Sequence, residues 1–392
     1  MKRPPPDSRR SRPHVALLVE TSLGSGRDIL RGLARGVREF GPWALYHEPR
    51  SLEELVPHWL RDWDGDGIIA RIQNEAIAQA VRANRLPTVD VLGVVADAGF
   101  PLVHVDDAAI ARAAAEHLLE RGFRHFGYFG IGGENWSERR RDEFNVTVKA
   151  ADGSLAVYEM PRHALAETSW ESVENDLAAW VARLPKPAGV MVCSDQRGAQ
   201  FLEACRRADV SVPDEVAVIG VDDDEPLCEV CNPPLTSVNP AHHRVGYEAA
   251  RLLARLMAGK AAPREPVFTQ PAGVTTRLST EVLAIEDRAL SAALRLIREH
   301  CCDGIDVAAI ARHTGLSRSV LQRKFRATLK RSVHQEILQA RLKRAMDLLA
   351  ASDLPLADVA ERTGFKHQEY LGAVFKARTG QTPAEYRRQR RG

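Results

Sequence analysis

From Val307 to Ile337 the chain reads VAAIARHTGLSRSVLQRKFRATLKRSVHQEI, and from Leu356 to Arg388 it reads LADVAERTGFKHQEYLGAVFKARTGQTPAEYRR. The two stretches match at an offset of 49 before a glycine and 50 after it. The matching residues are Ile310, Ala311, Thr314 and Gly315 with Val359, Ala360, Thr363 and Gly364, then Leu321, Phe325 and Arg326 with Leu371, Phe375 and Lys376. The extra residue falls in a turn, where an insertion costs little. The end of the chain therefore repeats one structural unit.

Each copy has the pattern of two short helices joined by a tight turn. Gly315 supplies the left-handed conformation that reverses the chain, and Gly364 does so in the second copy. Ser317 is a good N-cap for the helix that follows. That helix turns Leu321 and Phe325, four residues apart, toward a core and leaves basic and polar residues on its other surface. The pattern predicts an all-α domain with two helix-turn-helix motifs.

Charge separates this segment from the rest of the chain. Residues 287–392 hold 21 Lys and Arg against 11 Asp and Glu, whereas the remainder holds 33 against 41, so a whole-chain charge of +2 hides a segment of +10 beside one of −8. Such a positive segment suits the neutralisation of DNA phosphates. A small helical bundle with solvated basic faces is the alternative, but it does not explain the repeat together with the charge.

This segment resembles the DNA-binding domain of the AraC/XylS family of bacterial regulators. The stretches that carry the resemblance are IARHTGLSRSVLQRKF, RLKRAMDLLAASDLPLADVA and the second copy from Gly364 to Arg387, together about a quarter of the chain. The resemblance implies binding to double-stranded promoter DNA. The residues expected to contact it are Ser317, Arg318, Ser319, Gln322, Arg323 and Arg326 in the first copy, and Lys366, His367, Gln368 and Lys376 in the second.

Two departures from that family stand out. Leu371 and Ala373 replace the Phe and Arg usual in second copies, which removes a basic contact from the second reading helix. Lys330 stands where the second copy has Gly380, a glycine that ends a helix. The first departure puts the specificity of the second half-site in doubt.

At 392 residues and 44% hydrophobic composition the chain is long enough for two or three domains. The start, rich in Pro, Arg and Ser, is predicted to be a disordered arm over residues 1–13. The apolar run that follows it, from Val15 to Val19, is too short for a signal peptide and is interpreted as a first strand. Neither a secretory signal nor a membrane span is expected, so the protein is predicted to be cytoplasmic with reduced thiols. Cys228 and Cys231 form a CxxC that nothing completes as a metal site, and no cofactor is expected.

Strand-like and helix-like segments alternate from residue 14 to 280. HVALLVE reads as a buried parallel strand, and the sixteen-residue segment from Asp107 to Gly122 as an amphipathic helix. Such alternation predicts open α/β sheets with ligands at the carboxyl ends of their strands.

Three stretches resemble the ligand-binding core of LacI/GalR regulators and periplasmic sugar-binding proteins: VDDAAIARAAAEHLLERGFRHFGYFGI, SDQRGAQFLEACRRADVSVPDEVAVIGVDDDE and PPLTSVNPAHHRVGYEAARLLARLMAG. The resemblance implies an α/β, two-lobed, periplasmic-binding-protein-like sensor domain over 14–280, crossed three times by the chain, then a linker at 281–287 and the reader at 288–392. The order of the two halves resembles that of the AraC/XylS-type activators of xylose operons, which implies a pentose effector, with xylose expected, and a ligand-responsive transcription regulator. A homodimer and contact with RNA polymerase are further expectations.

Candidate ligand residues lie near strand ends and suit a polyol. Asp222 ends a predicted strand and matches the sugar-binding aspartate of the resembled family, where a carboxylate accepts hydrogen bonds from two hydroxyls. Arg140 fits that family's clamp arginine, with Arg139 and Arg141 as alternatives. Glu20 closes the first strand, and Trp136 could stack on a sugar face. Asp195 is either a ligand or a helix N-cap.

Some points stay open in the sequence. Residues 145–158 alternate like a strand where the resembled family continues a helix. An enzyme is the less favoured class, because the glycine run at 130–133 lacks the Lys-Ser/Thr of a phosphate loop and His242-His243 shows no carboxylate partner. A regulator whose sensor serves only for dimerisation is the second alternative.

Overall fold

Strand β1 (His14–Leu18) is buried on both faces from Val15 onward, because every residue after the half-buried His14 is apolar. It lies at the centre of the first sheet, between β2 (Ala44–His47) and β3 (Gly67–Ala70), and both neighbours run parallel to it. The computed structural model describes residues 12–50, 55–161, 170–281 and 287–391. Within them the chain divides into two compact units near residue 284.

The first unit has two lobes, each a parallel sheet with helices packed on it. The first sheet has the order β2-β1-β3-β4, and an isolated bridge joins its last strand to the parallel pair of β5 and β11. The remaining elements of this lobe are β4 (Thr88–Asp90), β5 (Val103–Val105), β11 (Val267–Thr269), α1 (Gly24–Phe40), α2 (Glu75–Ala83) and a 3-10 turn at His58–Asp62.

The second lobe holds a six-stranded sheet of order β12-β10-β9-β8-β6-β7, parallel except for the edge strand β12. Its strands are β6 (His125–Gly132), β7 (Ser154–Pro161), β8 (Ala188–Val192), β9 (Val216–Val221), β10 (Thr236–Asn239) and β12 (Gly273–Thr275). Its helices are α3 (Asp107–Glu120), α4 (Asn135–Ala150), α5 (Trp170–Arg183), α6 (Asp195–Arg207) and α7 (Glu225–Val230), with a 3-10 turn at Leu278–Thr280. The chain passes between the lobes after β5, after β10 and after β11, which gives the three expected crossings.

Helix α8 (His242–Met257) returns to the first lobe and packs on α1 at very short range. A Cβ at Gly32 would lie 1.8 Å from the carbonyl oxygen of His243, and one at Gly246 would lie 2.0 Å from that of Ile29. Only glycine permits this backbone approach, so these two positions fix how α8 docks.

The segment after Arg141 is helical, so of the two alternatives for residues 145–158 the helix is present to Ala150 and strand β7 follows from Ser154. Arg140, Phe144 and Val148, four residues apart, are buried on one face, whereas Val146 is 61% exposed. Burial of that face therefore overrides the local strand-like alternation.

The second unit is all-α, and it contains the predicted pair of helix-turn-helix motifs. Its helices are α9 (Arg288–His300), α10 (Val307–Thr314), α11 (Arg318–Leu329), α12 (Val333–Ala351), α13 (Leu356–Arg362), α14 (Gln368–Thr379) and α15 (Pro383–Arg391). Gly315 and Gly364 have φ of 67° and 73°, as the turns require, and Ser317 caps α11 by accepting from Val320 N. The predicted fold class is confirmed.

Helix α12 belongs to both motifs. Its first half contributes Val333 and Ile337 to the core formed with α9, α10 and α11. Its second half contributes Leu342, Ala345 and Leu349 to the core formed with α13 and α14. One continuous helix therefore joins the two motifs.

Two predicted segments lie partly outside the described residues: positions 1–11 of the predicted arm and 282–286 of the predicted linker. Among the helices of the described ranges, none is long and apolar enough to cross a membrane.

Candidate ligand site and candidate nucleic-acid interface

A buried ion pair lies at the carboxyl end of the first sheet. Glu20 follows β1 and Arg71 follows β3, and Arg71 Nη1 donates to Glu20 Oε1 and, over 3.1 Å, to Ser25 Oγ. Both charged side chains are almost fully buried. Removing two charges from water is costly, so this buried pair is weak evidence for stability and marks a candidate site.

Asp90, at the end of β4, shapes the next loop. Its carboxylate accepts from Leu92 N over 2.9 Å and from Gly93 N over 3.2 Å. Burial raises the pKa of Asp90 to about 6, although these backbone donors and Arg71 oppose the rise. The loop so held presents the carbonyl oxygen of Gly93, which accepts from Asn135 Nδ2 of the other lobe over 2.8 Å.

Arg140 is the inward residue of the Arg139–Arg141 run. Its Nε donates to Asp107 Oδ1 over 2.9 Å, its Nη1 donates to the carbonyl oxygen of Cys193 over 2.7 Å, and its guanidinium lies 5.0 Å from the ring of Trp136. Arg139 also bonds Asp107 but is 43% exposed, and Arg141 pairs with acidic side chains at the surface. Of the three arginines, Arg140 alone is buried beside the ends of β6 and β8.

Asp107 anchors this cluster. Burial would raise the pKa of its carboxyl group, but Arg140, with smaller contributions from His104 and Arg139, holds that pKa below its ordinary value. Asp107 is therefore ionised and fixes the guanidinium of Arg140 in place.

Asp222 follows β9 with φ of 119°, a region that L residues rarely adopt. Its Oδ1 lies 3.2 Å from Nε2 of His242. The expectation that the His242-His243 pair has no carboxylate partner is wrong, because a chain crossing brings His242 beside Asp222 and His243 beside Asp28. Strained residues cluster at functional sites, which marks Asp222 as a candidate.

Asp195 is not a helix N-cap. Ser194 caps α6, and Asp195 is its first residue. The Asp195 carboxylate accepts from Ser237 Oγ over 2.6 Å, from Asp224 N over 2.9 Å and from Cys228 Sγ over 3.3 Å. Burial, together with the charge of Asp222, raises the pKa of Asp195 to about 8. Asp195 therefore holds the loop that carries Asp222, and it also binds the Cys228 thiol of the CxxC pair.

The region between the two lobes, which the contact of Asn135 with Gly93 spans, is called the cleft here. Several buried polar atoms around it have no hydrogen-bond partner among the described residues. They are Glu20 Oε2, Arg71 Nε, Asn135 Oδ1 and His104 Nε2. Leaving such groups unpaired is costly. A polar molecule with both donors and acceptors would satisfy them.

Sequence reasoning missed Arg71, Asn135, His242 and Asp107. Arg71 directly follows a predicted strand, so the rule that selected Glu20 could have found it. Asn135 lies shortly after a predicted strand and next to the selected Trp136, so the same rule admits it. His242 carries no such signal, because only a chain crossing brings it to the cleft.

The two reading helices of the second unit have the same exposure pattern. Residues 321–330 and 371–380 follow an identical sequence of buried, half-buried and exposed positions. All the predicted DNA contacts are exposed apart from Gln322, which is half-buried. Arg323 occupies the exposed position that Ala373 occupies in the second copy, so the difference between the copies lies on the free surface.

An open basin of about 470 Å³ lies where α11 meets α12. Arg326, Lys330, Arg331, Ser332, His334 and Gln335 line it. In the second copy Lys376 matches Arg326, but Gly380 and Gln381 replace Lys330 and Arg331, and Glu385 replaces Gln335. The first copy therefore carries more positive charge beside its reading helix.

Comparison with known proteins agrees with this architecture. A sequence profile for a periplasmic binding protein-like domain matches residues 115–280, and one for a helix-turn-helix domain matches residues 310–389. A chain with these domains is a DNA-binding transcription regulator, not an enzyme, and the predicted AraC-type organisation with a periplasmic-binding-protein-like sensor is confirmed.

Particular relatives extend over almost the whole chain. The xylose operon regulatory protein of Escherichia coli (strain K12) is 29% identical over 384 residues, 96% of this chain and 97% of its own. That of Haemophilus influenzae (strain Rd) is 28% identical, over 95% of this chain and 97% of its own. The solved structure of the xylose-binding transcription activator xylR superposes with a TM-score of 0.81 at 27% identity, covering 96% of this chain and 98% of that one.

Proposed function

We propose that this protein switches the transcription of a xylose-utilisation operon when a pentose, D-xylose, binds between its two lobes. The observation that carries the proposal is the set of buried, unpartnered polar atoms on Glu20, Arg71 and Asn135, which stand at the strand ends around the cleft. Similarity to xylose operon regulatory proteins over 96% of the chain supports the choice of sugar.

The chemistry of the cleft suits a polyol. Glu20 Oε2 and Asn135 Oδ1 can accept from sugar hydroxyls, and Arg71 Nε can donate to them. Asp222 would bind two hydroxyls, with Arg140 beside it, and Asp195 would position the Asp222 loop rather than touch sugar. One face of Trp136 stacks on Arg140, so a sugar ring would use the opposite face.

Switching follows from differential affinity. Sugar that binds better to the closed cleft shifts the protein toward that form, and the shift in DNA affinity is limited to this difference, about 1–3 kcal/mol. The sensor region 14–280 would pair two chains, so that their readers, residues 288–392, bind repeated half-sites in the cytoplasm and contact RNA polymerase.

Titration of the full chain with a monosaccharide panel tests the proposal. All six tryptophans precede residue 284, so tryptophan fluorescence reports unfolding of the first unit alone. Xylose should raise its melting temperature, and Asp222→Ala should remove that rise because unpaired hydroxyls cost about 1–3 kcal/mol. Asp176→Ala removes an exposed carboxylate of α5 and should respond like wild type.

The opposite results are equally clear. A wild-type protein that no monosaccharide stabilises, yet that dimerises and binds operator DNA, would leave the sensor with a role in dimerisation only. An Asp222→Ala variant with an unchanged shift would remove Asp222 from the site.

A further inference from the structure

Helix α1 begins without a cap of its own. Its N-cap residue is Leu23, whose side chain makes no hydrogen bond to the helix. The first amides of a helix need acceptors from elsewhere. Gly24 N donates to Asp224 Oδ2 over 3.2 Å, and Arg27 Nη2 lies 3.4 Å from the same oxygen. A carboxylate of the second lobe thus caps a helix of the first.

Asp224 would be expected to cap a different helix. It occupies the N-cap position of α7, where aspartate is a favoured residue type, yet its side chain makes no hydrogen bond there. The neighbouring carboxylates have other partners, His242 for Asp222 and Arg277 for Asp223. Asp222 thus contacts the start of α8, where the chain has just crossed, whereas Asp224 is the acid of the loop that reaches α1.

The approach at this contact is as close as a residue without a side chain allows. A Cβ at Gly24 would lie 2.7 Å from both Cγ and Oδ2 of Asp224. Gly24 belongs to the first lobe and Asp224 to the second, so the contact joins the two lobes. A negative charge at a helix N-terminus is favourable, and more so where, as here, the carboxylate is only 17% exposed.

We propose that Asp224 is an inter-lobe helix cap that stabilises the closed cleft, a positioning residue that sets the affinity for sugar without touching it. In the open form its carboxylate is free to turn to the amide of Leu227 in α7. Asp224 thus caps α1 in the closed form and α7 in the open form. This exchange keeps the free energies of the two forms close. The inference rests on the proposed function, since the sugar is the ligand on which the cleft closes.

Asp224→Ala and Gly24→Ala in the full chain test the contact from its two sides. Alanine suits the first turn of α1, so Gly24→Ala acts by displacing Asp224. Each variant should weaken the binding of xylose and of a second, weaker pentose by the same factor, about threefold to tenfold, because apparent affinity scales with the closed fraction. The double variant should lose no more than one single variant, and Asp224→Asn, which keeps an acceptor, should fall between Asp224→Ala and wild type.

Hydrogen exchange provides a readout that needs no sugar. In the sugar-free protein the amide of Gly24 should exchange several-fold faster in Asp224→Ala than in wild type, whereas Asp176→Ala should leave it unchanged. The proposal is overturned if Asp224→Ala changes neither the exchange rate of the Gly24 amide nor the affinity for the two pentoses. It is also overturned if the loss of affinity differs between the two pentoses, because Asp224 would then be a sugar ligand. If wild type binds no sugar, the proposed function fails while the exchange result still decides this inference. If Asp224→Ala does not fold, Gly24→Ala carries both measurements.

Discussion

Asp222 and Lys330 both have positive φ, 119° and 57°, where glycine would be unstrained. They differ in what their side chains do. Asp222 stands at the candidate ligand site, whereas the Lys330 ammonium donates to the carbonyl oxygen of Ala327, in the helix that Lys330 ends. The positive φ at Asp222 thus lies at the candidate ligand site, whereas the one at Lys330 belongs to a basic residue of the basin wall.

Asp222→Gly and Asp222→Ala should separate strain from ligand binding. Both remove the carboxylate, so neither variant should be stabilised by xylose. Glycine also relieves the backbone, so the first unit of Asp222→Gly should be about 1 kcal/mol more stable than that of Asp222→Ala. Urea unfolding followed by tryptophan fluorescence measures both effects. Equal stability of the two variants would show that φ of 119° carries no strain.

Lys330→Gly should stabilise the second unit by about 1 kcal/mol, because a left-handed lysine becomes a glycine as at Gly380 in the other copy. Lys330→Ala keeps the strain and removes the same charge, so it serves as the control. Calorimetry of the full chain should place the second-unit transition of Lys330→Gly higher than that of Lys330→Ala. No difference would argue that the helix end relaxes in solution.

At the scale of elements, α11 and α14 present the same exposed positions with different residues. Arg323 in α11 faces out where α14 has Ala373. The first reading helix should therefore dominate base recognition, while Lys376 of α14 mainly holds phosphate. Substitutions in the two helices should therefore affect DNA binding in different ways.

Arg323→Ala should lose about 1–3 kcal/mol of binding to a selected operator and much less to scrambled DNA. Lys376→Ala should weaken both DNAs alike and reduce the salt slope by about one unit. Gel-shift titration at two salt concentrations distinguishes these results. Similar losses on both DNAs for Arg323→Ala would contradict its role as the principal reader.

Elements were predictable from the sequence where local pattern and burial agree, as in β1, α3 and the two helix-turn-helix motifs. Helix α4 shows the limit, because its strand-like alternation after Asn145 yields to burial of Phe144 and Val148. Candidate site residues at strand ends, Glu20 and Asp222, followed from a topological rule. Arg71 and Asn135 also follow strands, so the rule admits them without selecting them. His242 was not predictable, since only the chain crossing after β10 brings it beside Asp222.

At the scale of the whole molecule, acid should destabilise the first unit through His117. Burial, and to a lesser extent Arg121, lowers the pKa of His117 from 6.5 to about 4, and its Nε2 lies 2.8 Å from Thr280 Oγ1. The folded state thus binds fewer protons than the unfolded state between these values. Its contribution to stability is present above pH 6.5 and is lost as the pH falls toward 4.

His117→Gln keeps an amide able to reach Thr280 and removes the titration. The stability difference between wild type and this variant should therefore change between pH 7 and pH 4.5, to the disadvantage of wild type at the acid end. His125→Gln, which changes a partly exposed histidine of the same unit, is the matched substitution for comparison. Tryptophan fluorescence in urea provides the measurement. A stability difference for His117→Gln that does not change with pH would mean that this imidazole titrates normally.

The length of helix α12 fixes the separation of the two helix-turn-helix motifs on DNA. Its 19 residues rise about 28 Å at 1.5 Å each, and each end is embedded in the core of one motif. Helix α12 thus fixes the distance between the two grooves that one chain can enter, and this distance cannot stretch. One turn of DNA, by comparison, measures about 34 Å. Five base pairs inserted between the two DNA segments that one chain contacts would turn the second segment to the far side of the duplex. Ten base pairs would restore its orientation but place it farther away than α12 allows. An operator of this protein should therefore tolerate substitutions far better than insertions inside a half-site, whereas spacing between half-sites bound by different chains is free of this constraint.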